Sequence, residues 1–167
     1  MQDPRKSLQE DYLRALLFGL QDGIVSTTGV VLGISTGVSD KGVIVLAALV
    51  AVSVEATSMA AGQYTSEKAV HQMDHDGKHT DSLFFGALIM FLAYLAGGAF
   101  SIVPTVLIDQ PTARIVAVLS SFSGLFAIGY LKGVLVEGRP LRSAVELFVI
   151  GGMATTLGIV VGRLLEV

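Results

Sequence analysis

Two acids stand where acids are rare. Asp22 and Glu55 each lie inside a long apolar stretch, far from its ends. An ionisable residue in hydrocarbon costs at least ~2.5–3.5 kcal/mol on insertion scales, so it marks a functional position by default. Met59 follows Glu55 by four residues and Gln63 follows by four more, which stacks all three on one helical face. Ser26 falls four residues after Asp22, with Thr27 beside it. The set offers two carboxylates, a thioether, an amide and hydroxyls. Two carboxylates supply hard oxygens and charge for a divalent cation. A thioether adds a soft ligand that magnesium and calcium use poorly. The mixture suits ferrous iron, with manganese, cobalt, nickel or zinc as competitors. A carboxylate removed from water can be neutralised by a proton or by a cation. A site that exchanges one for the other is the minimal part of an antiporter. Plainer readings stand beside this one. Asp22 would be a helix-terminus acid if its helix began near Gly23. Glu55 would be a buried structural acid, and Met59 core filling.

All three histidines of the chain fall in HQMDHDGKH (71–79). His71, His75 and His79 are spaced by four, with Met73, Asp74 and Asp76 between them. On a continuous helix they form a stripe able to capture a divalent cation. Gly77 is expected to interrupt that helix, which leaves a solvated polar loop as the alternative.

The elements that must position these groups follow from composition. Of 167 residues, 52% are hydrophobic and only 15% charged, against ~25% charged in a soluble domain. Mean hydropathy is +0.70. These values exclude a disordered chain, a coiled coil and a basic nucleic-acid binder. The absence of cysteine excludes disulfides and thiolate sites. A bilayer core needs ~20 mostly apolar residues per helix. Five stretches meet that length, at 13–38, 43–64, 83–108, 112–136 and 141–165. None alternates as a strand would. The expected fold is therefore an all-α membrane protein with five transmembrane helices. Residues 1–12 form a polar N-terminus without the features of a signal peptide, and 13–167 a single five-helix domain. A short histidine-containing cytoplasmic loop spans 65–82. Glu10 and Asp11 suit the first turn of the first helix.

With the N-terminus cytoplasmic, Arg5, Lys6, Arg14, Lys68, Lys78, Lys132, Arg139 and Arg142 face the cytosol. Lys41, Arg114 and Arg163 face out, so the positive-inside bias puts the C-terminus outside. Tyr12, Tyr64 and Tyr130 then fall near the inner interface. At 1.5 Å per residue, Asp22 and Glu55 lie roughly 13 Å and 14 Å from that interface, at matching depth on antiparallel helices.

Gly29, Gly33 and Gly37 recur every four residues, as do Gly129 with Gly133 and Gly158 with Gly162. Small residues at this spacing let helix backbones approach, either within one chain or across a dimer interface. Five helices barely enclose a polar path, which argues for a homodimer. Pro104 is expected to end or kink the third helix.

At this point the residues resemble a known family. QDGIVSTTGVVLGI (21–34) resembles the first-span motif of the vacuolar iron transporter family, and SMAAGQYTS (58–66) its second-span motif. GRPLRSAVELFVIGGMATTLGIVVGRLL (138–165) looks like its C-terminal hairpin. The resemblance covers most of the chain and implies a five-helix homodimer. It further implies proton-coupled export of ferrous iron or manganese from the cytosol. The destination would be the vacuole in a eukaryote, or the space beyond the inner cell membrane in a prokaryote. The motif aspartate maps to Asp22 and the motif methionine to Met59, on the translocation path. Three departures stand out. The family reads Ala-Gly-Glu-Tyr where this chain has Ala61, Gly62, Gln63 and Tyr64. Glu55 stands where a small residue is expected, and is read as restoring the lost charge from two turns away. Many members also carry a long acidic domain that collects metal between the second and third spans. Here only 65–82 stand in its place, a short form.

The sequence thus points to an exporter of divalent metal with no permanently bound cofactor, transported Fe(II) or Mn(II), and protons as counter-ion. Its partners would be the lipid bilayer, the metal ions and a second copy of the chain, with no nucleic acid. A non-transporting membrane partner or assembly subunit is the alternative, but it has no need of two deep acids. An exporter of organic cations would favour an aromatic pocket, which an aromatic content of 7% without tryptophan does not support. No nucleophile–base pair or phosphate loop suggests an enzyme.

Overall fold

The computed structural model describes residues 4–73 and 83–165. Among them are five long helices: α1 (Pro4–Gly37), α2 (Lys41–Met73), α3 (Leu83–Leu107), α4 (Thr112–Lys132) and α5 (Pro140–Leu164). Each is long and apolar enough to cross a membrane. Two boundaries differ from the sequence expectation. Helix α1 begins at Pro4, so Glu10 and Asp11 lie beyond its first turn and Asp22 is in mid-helix. Helix α2 runs on to Met73, so the first half of the expected loop at 65–82 is helical. Hydropathy marks where apolar residues stop, but a helix needs only satisfied backbone bonds and continues into water.

The helices alternate in direction. The start of α1 meets the end of α2 through Arg14 and Glu67. Tyr12 packs edge-on against Phe85 at the start of α3, with ring centroids 5.3 Å apart. At the opposite end, Lys41 pairs with Asp109 at 2.7 Å, and Arg114 donates to the Ser35 carbonyl. Helix α1 is central and packs against each of the other four.

The packing inverts the pattern of a soluble core. Many buried positions are small: Ala15, Ala48, Ala56, Ala117 and Ala144 are fully enclosed, beside a few large side chains such as Ile24, Leu32 and Tyr94. Large side chains such as Leu46, Val54, Phe84 and Leu157 point outward. Lipid is as apolar as leucine, so no hydrophobic gain comes from hiding large side chains, and close backbone contact holds the helices together. A central cluster joins Val31, Ala48, Val52, Ala56, Tyr94 and Ile102.

Local features end and restart the helices. Asp40 caps α2 by accepting the Val43 N–H at 3.0 Å. A π-helical turn (Gly133–Glu137) and Gly138 at φ 64° reverse the chain into α5, which opens on Pro140. Pro104 does not end α3, which continues to Leu107. Proline leaves the carbonyl four residues earlier without its helical donor. That carbonyl, on Phe100, accepts from Ser120 Oγ of α4 at 2.5 Å. A neighbouring helix thus satisfies the group that proline freed.

Candidate cation site between the first three helices

Helix α1 presents Asp22 and Ser26, and α2 presents Glu55 and Met59 one turn apart. All four side chains are half-buried. Asp22 lies one turn before Ser26 on the same face of α1. Ser26 Oγ donates to Glu55 Oε2 at 2.7 Å, which bridges α1 and α2 directly. A second donor reaches the same oxygen from α3: the Tyr94 hydroxyl, at 2.5 Å. Ser26 and Glu55 thus meet directly across α1 and α2, and Tyr94 of α3 joins them.

Sequence reading missed Tyr94. The other three tyrosines sit near the ends of the apolar stretches, where an amphipathic ring meets the interface. Tyr94 lies in the middle of α3 and is 1% exposed. A buried tyrosine hydroxyl nearly always finds a partner, so a lone tyrosine in an apolar span was a usable signal.

Glycine notches set how closely these helices meet. A Cβ on Gly23 would collide with the Tyr94 backbone, and one on Gly97 with the Leu20 carbonyl. Helices α1 and α3 therefore touch through backbone beside Asp22. That contact carries the tyrosine ring far enough across to reach α2.

The remaining candidates divide. Met59 packs against the central apolar cluster that includes Tyr94. Thr27 is fully buried and its Oγ1 faces Gly98 of α3. Its hydroxyl does not join the bonds around Glu55. Gln63 lies two turns beyond Glu55 and donates to Glu67 Oε1 at 3.1 Å. Glu67 also takes Arg14 at 3.2 Å, and Arg14 reaches Asp11 at 2.6 Å. Asp11, Arg14, Gln63 and Glu67, with Met90 beneath, line a cavity of about 520 Å³ at that end of the bundle. His71 lies in the last turn of α2, with its Nδ1 2.9 Å from the Glu67 carbonyl. His75 and His79 fall outside the described residues. Among the described residues, no three histidine, aspartate or glutamate side chains converge as a metal cage would require.

The glycine stripe of α1 resolves into packing within the chain. A Cβ on Gly33 would approach the Gly158 carbonyl oxygen at 2.8 Å, and one on Gly37 that of Gly162 at 2.7 Å. Gly29 meets Ala154 and Gly158 in the same way. Gly29, Gly33 and Gly37 thus seat α5 against α1. An apolar groove of about 510 Å³ runs beside the seam. In the same manner Gly129 of α4 seats Ser143 and Ala144 of α5.

Comparison with known proteins agrees with this architecture. The sequence profile of the VIT family matches residues 13–79 and 70–163. The chain is similar to vacuolar iron transporter homolog 2 of Arabidopsis thaliana, 26% identical over 166 residues, covering 92% of this chain and 85% of the relative. It is also similar to vacuolar iron transporter homolog 1 of Oryza sativa subsp. japonica, 27% identical over 167 residues, with 89% and 72% covered. Vacuolar iron transporter 1 of Arabidopsis thaliana is 32% identical over 81 residues, covering 48% of this chain and 32% of the relative. With its profile matched over nearly the whole five-helix bundle, the chain belongs to the VIT family.

Proposed function

We propose that this protein is a divalent-metal transporter that moves ferrous iron, and manganese with it, out of the cytosol in exchange for protons. Asp22, Glu55 and Met59 are the transfer ligands. Ser26 supports Glu55, while Thr27 and Gln63 lie along the same helices. The observation that carries this reading is the hydrogen bond from Ser26 of α1, one helical turn from Asp22, to Glu55 of α2 within apolar spans. Two carboxylates drawn together in hydrocarbon repel unless a cation or a proton lies with them. That requirement couples metal occupancy to proton occupancy. The relatives' names, as iron transporters, support the choice of iron.

The excess of Lys and Arg on the start of α1 and its neighbouring helix ends supports a cytoplasmic N-terminus. The Asp11–Arg14–Glu67 cavity would then be the cytosolic mouth. His71, His75 and His79 would serve in cytosolic metal capture. We assign the working form to a homodimer, because five helices enclose little room for a polar path. The membrane would be the inner membrane of a prokaryote or the vacuolar membrane of a eukaryote.

The test uses protein reconstituted in liposomes with an interior pH dye. Ferrous iron is added outside under reducing conditions, to wild type and to Asp22→Ala. Iron uptake with opposite proton movement, lost in the variant, is the expected result. No iron or manganese flux in folded protein would overturn the transporter reading and favour a non-transporting membrane subunit.

A further inference from the structure

Tyr94 stands outside the ligand set Asp22, Glu55 and Met59, yet it is the largest fully enclosed side chain of the bundle. Its hydroxyl and Ser26 Oγ donate to the same oxygen, Glu55 Oε2, at 2.5 Å and 2.7 Å. Among the described residues no side chain donates to Oε1. The two donors come from different helices, α3 and α1, and Glu55 from a third. The tyrosine's own position is set by backbone, since α3 rests in the Gly23 notch beside Asp22.

This arrangement has a consequence for coordination. Hydrogen bonds to a charged carboxylate are strong and directional. Two on one oxygen fix the rotation of the carboxylate and occupy the lone pairs of that oxygen. The other oxygen is left to face a cation. Calcium favours six to eight oxygens and often takes a carboxylate through both. Smaller cations near octahedral geometry accept a single oxygen.

We propose that Tyr94, with Ser26, is a positioning residue that restricts Glu55 to ligation through Oε1 and so discriminates against calcium. The proposal rests on the metal-transfer reading, and adds a specificity device to it.

The experiment measures ferrous iron uptake by proteoliposomes at rising calcium in wild type, Tyr94→Phe, Glu55→Gln and the double variant. Phenylalanine keeps the ring and removes only the hydroxyl. Size exclusion and melting in detergent check that each variant is folded. Tyr94→Phe is expected to lower the calcium concentration for half-inhibition about tenfold, the size of one charge-assisted hydrogen bond. In the Glu55→Gln background, where iron flux itself is expected to fall, calcium competition is read from ferrous iron binding to the detergent-solubilised protein, and the same change should have no effect. Unchanged calcium sensitivity in Tyr94→Phe, or an equal shift in both backgrounds, would overturn the proposal.

An infrared measurement separates this failure from failure of the transport reading. The Glu55 carboxylate band is identified by its loss in Glu55→Gln. It is expected to move in Tyr94→Phe even if wild type carries no metal. A band that stays in place overturns the positioning role, whatever the flux shows.

Discussion

Helix α1 serves two purposes along its length, and they rely on different forces. Its middle carries Asp22 and Ser26 and meets α2 through the Ser26–Glu55 hydrogen bond between half-buried polar groups, while Gly23 beside them rests on the α3 backbone. Its second half carries Gly29, Gly33 and Gly37 and meets α5 backbone to backbone. The polar stretch has room for side chains to move, since Asp22, Ser26 and the facing Glu55 are only half-buried. The glycine half has none. Changes at Asp22 and Ser26 should alter transport with little cost to the fold, and changes at Gly29, Gly33 and Gly37 the reverse.

The strongest way to break this contrast is Gly162→Ala. The added Cβ would strike the Gly33 carbonyl, and backbone cannot rotate away as a side chain can. We expect a loss of at least about 3 kcal/mol, the upper end of overpacking costs, read as collapse of the monodisperse peak in detergent. Gly62→Ala is its control, because a Cβ there meets nothing within 4 Å. A well-folded Gly162→Ala protein would show that the seam with α5 is not tight.

Next in size is Asp22→Asn, which removes charge at constant shape. Iron flux should fall by more than about tenfold, the discrimination expected when a charged hydrogen-bonding ligand is lost. The melting temperature should hold within a few degrees. A large drop in melting temperature would mean that the polar stretch also carries the fold.

A milder change sharpens the comparison within the site. Met59→Leu conserves volume and should cost less than about 1.5 kcal/mol in stability. It removes the soft ligand, so ferrous iron should lose ground to magnesium in competition flux assays. An unaltered metal order would return Met59 to simple packing against its apolar neighbours.

The smallest effect is expected outside the membrane. Lys41 donates to Asp109 and holds that carboxyl below its ordinary value of 3.8. A depressed folded-state value stabilises the protein above pH 3.8, and that contribution is lost as pH falls through the lowered value. Asp109 is fully exposed, so Asp109→Asn should leave the melting temperature at neutral pH nearly unchanged. A clear fall on neutral-pH melting would mean that this end loop holds α2 against α3.

Part of this organisation was legible in the residues. The two deep acids stood out because charge in an apolar run is costly wherever the chain folds. Ser26 could be placed on the Asp22 face from helical spacing alone. Tyr94 was overlooked because its role depends on Glu55, 39 residues away in sequence. The glycine stripe was visible as a stripe, yet its partner was not, since α5 within the chain and a second copy both offer small residues. The extension of α2 to Met73 was hidden for another reason: hydropathy reports the membrane, and a helix can outrun it.

Sequence alone determined the number of membrane-crossing helices, the two acids and the small-residue faces. Each depends on local composition and on a period of 3.6 residues, and both act before any helix meets another. Tertiary structure decided which oxygen of Glu55 is held, which helix supplies the tyrosine, and that α5 fills the glycine groove. Those outcomes depend on how close two backbones come, a distance that glycine permits but only packing selects.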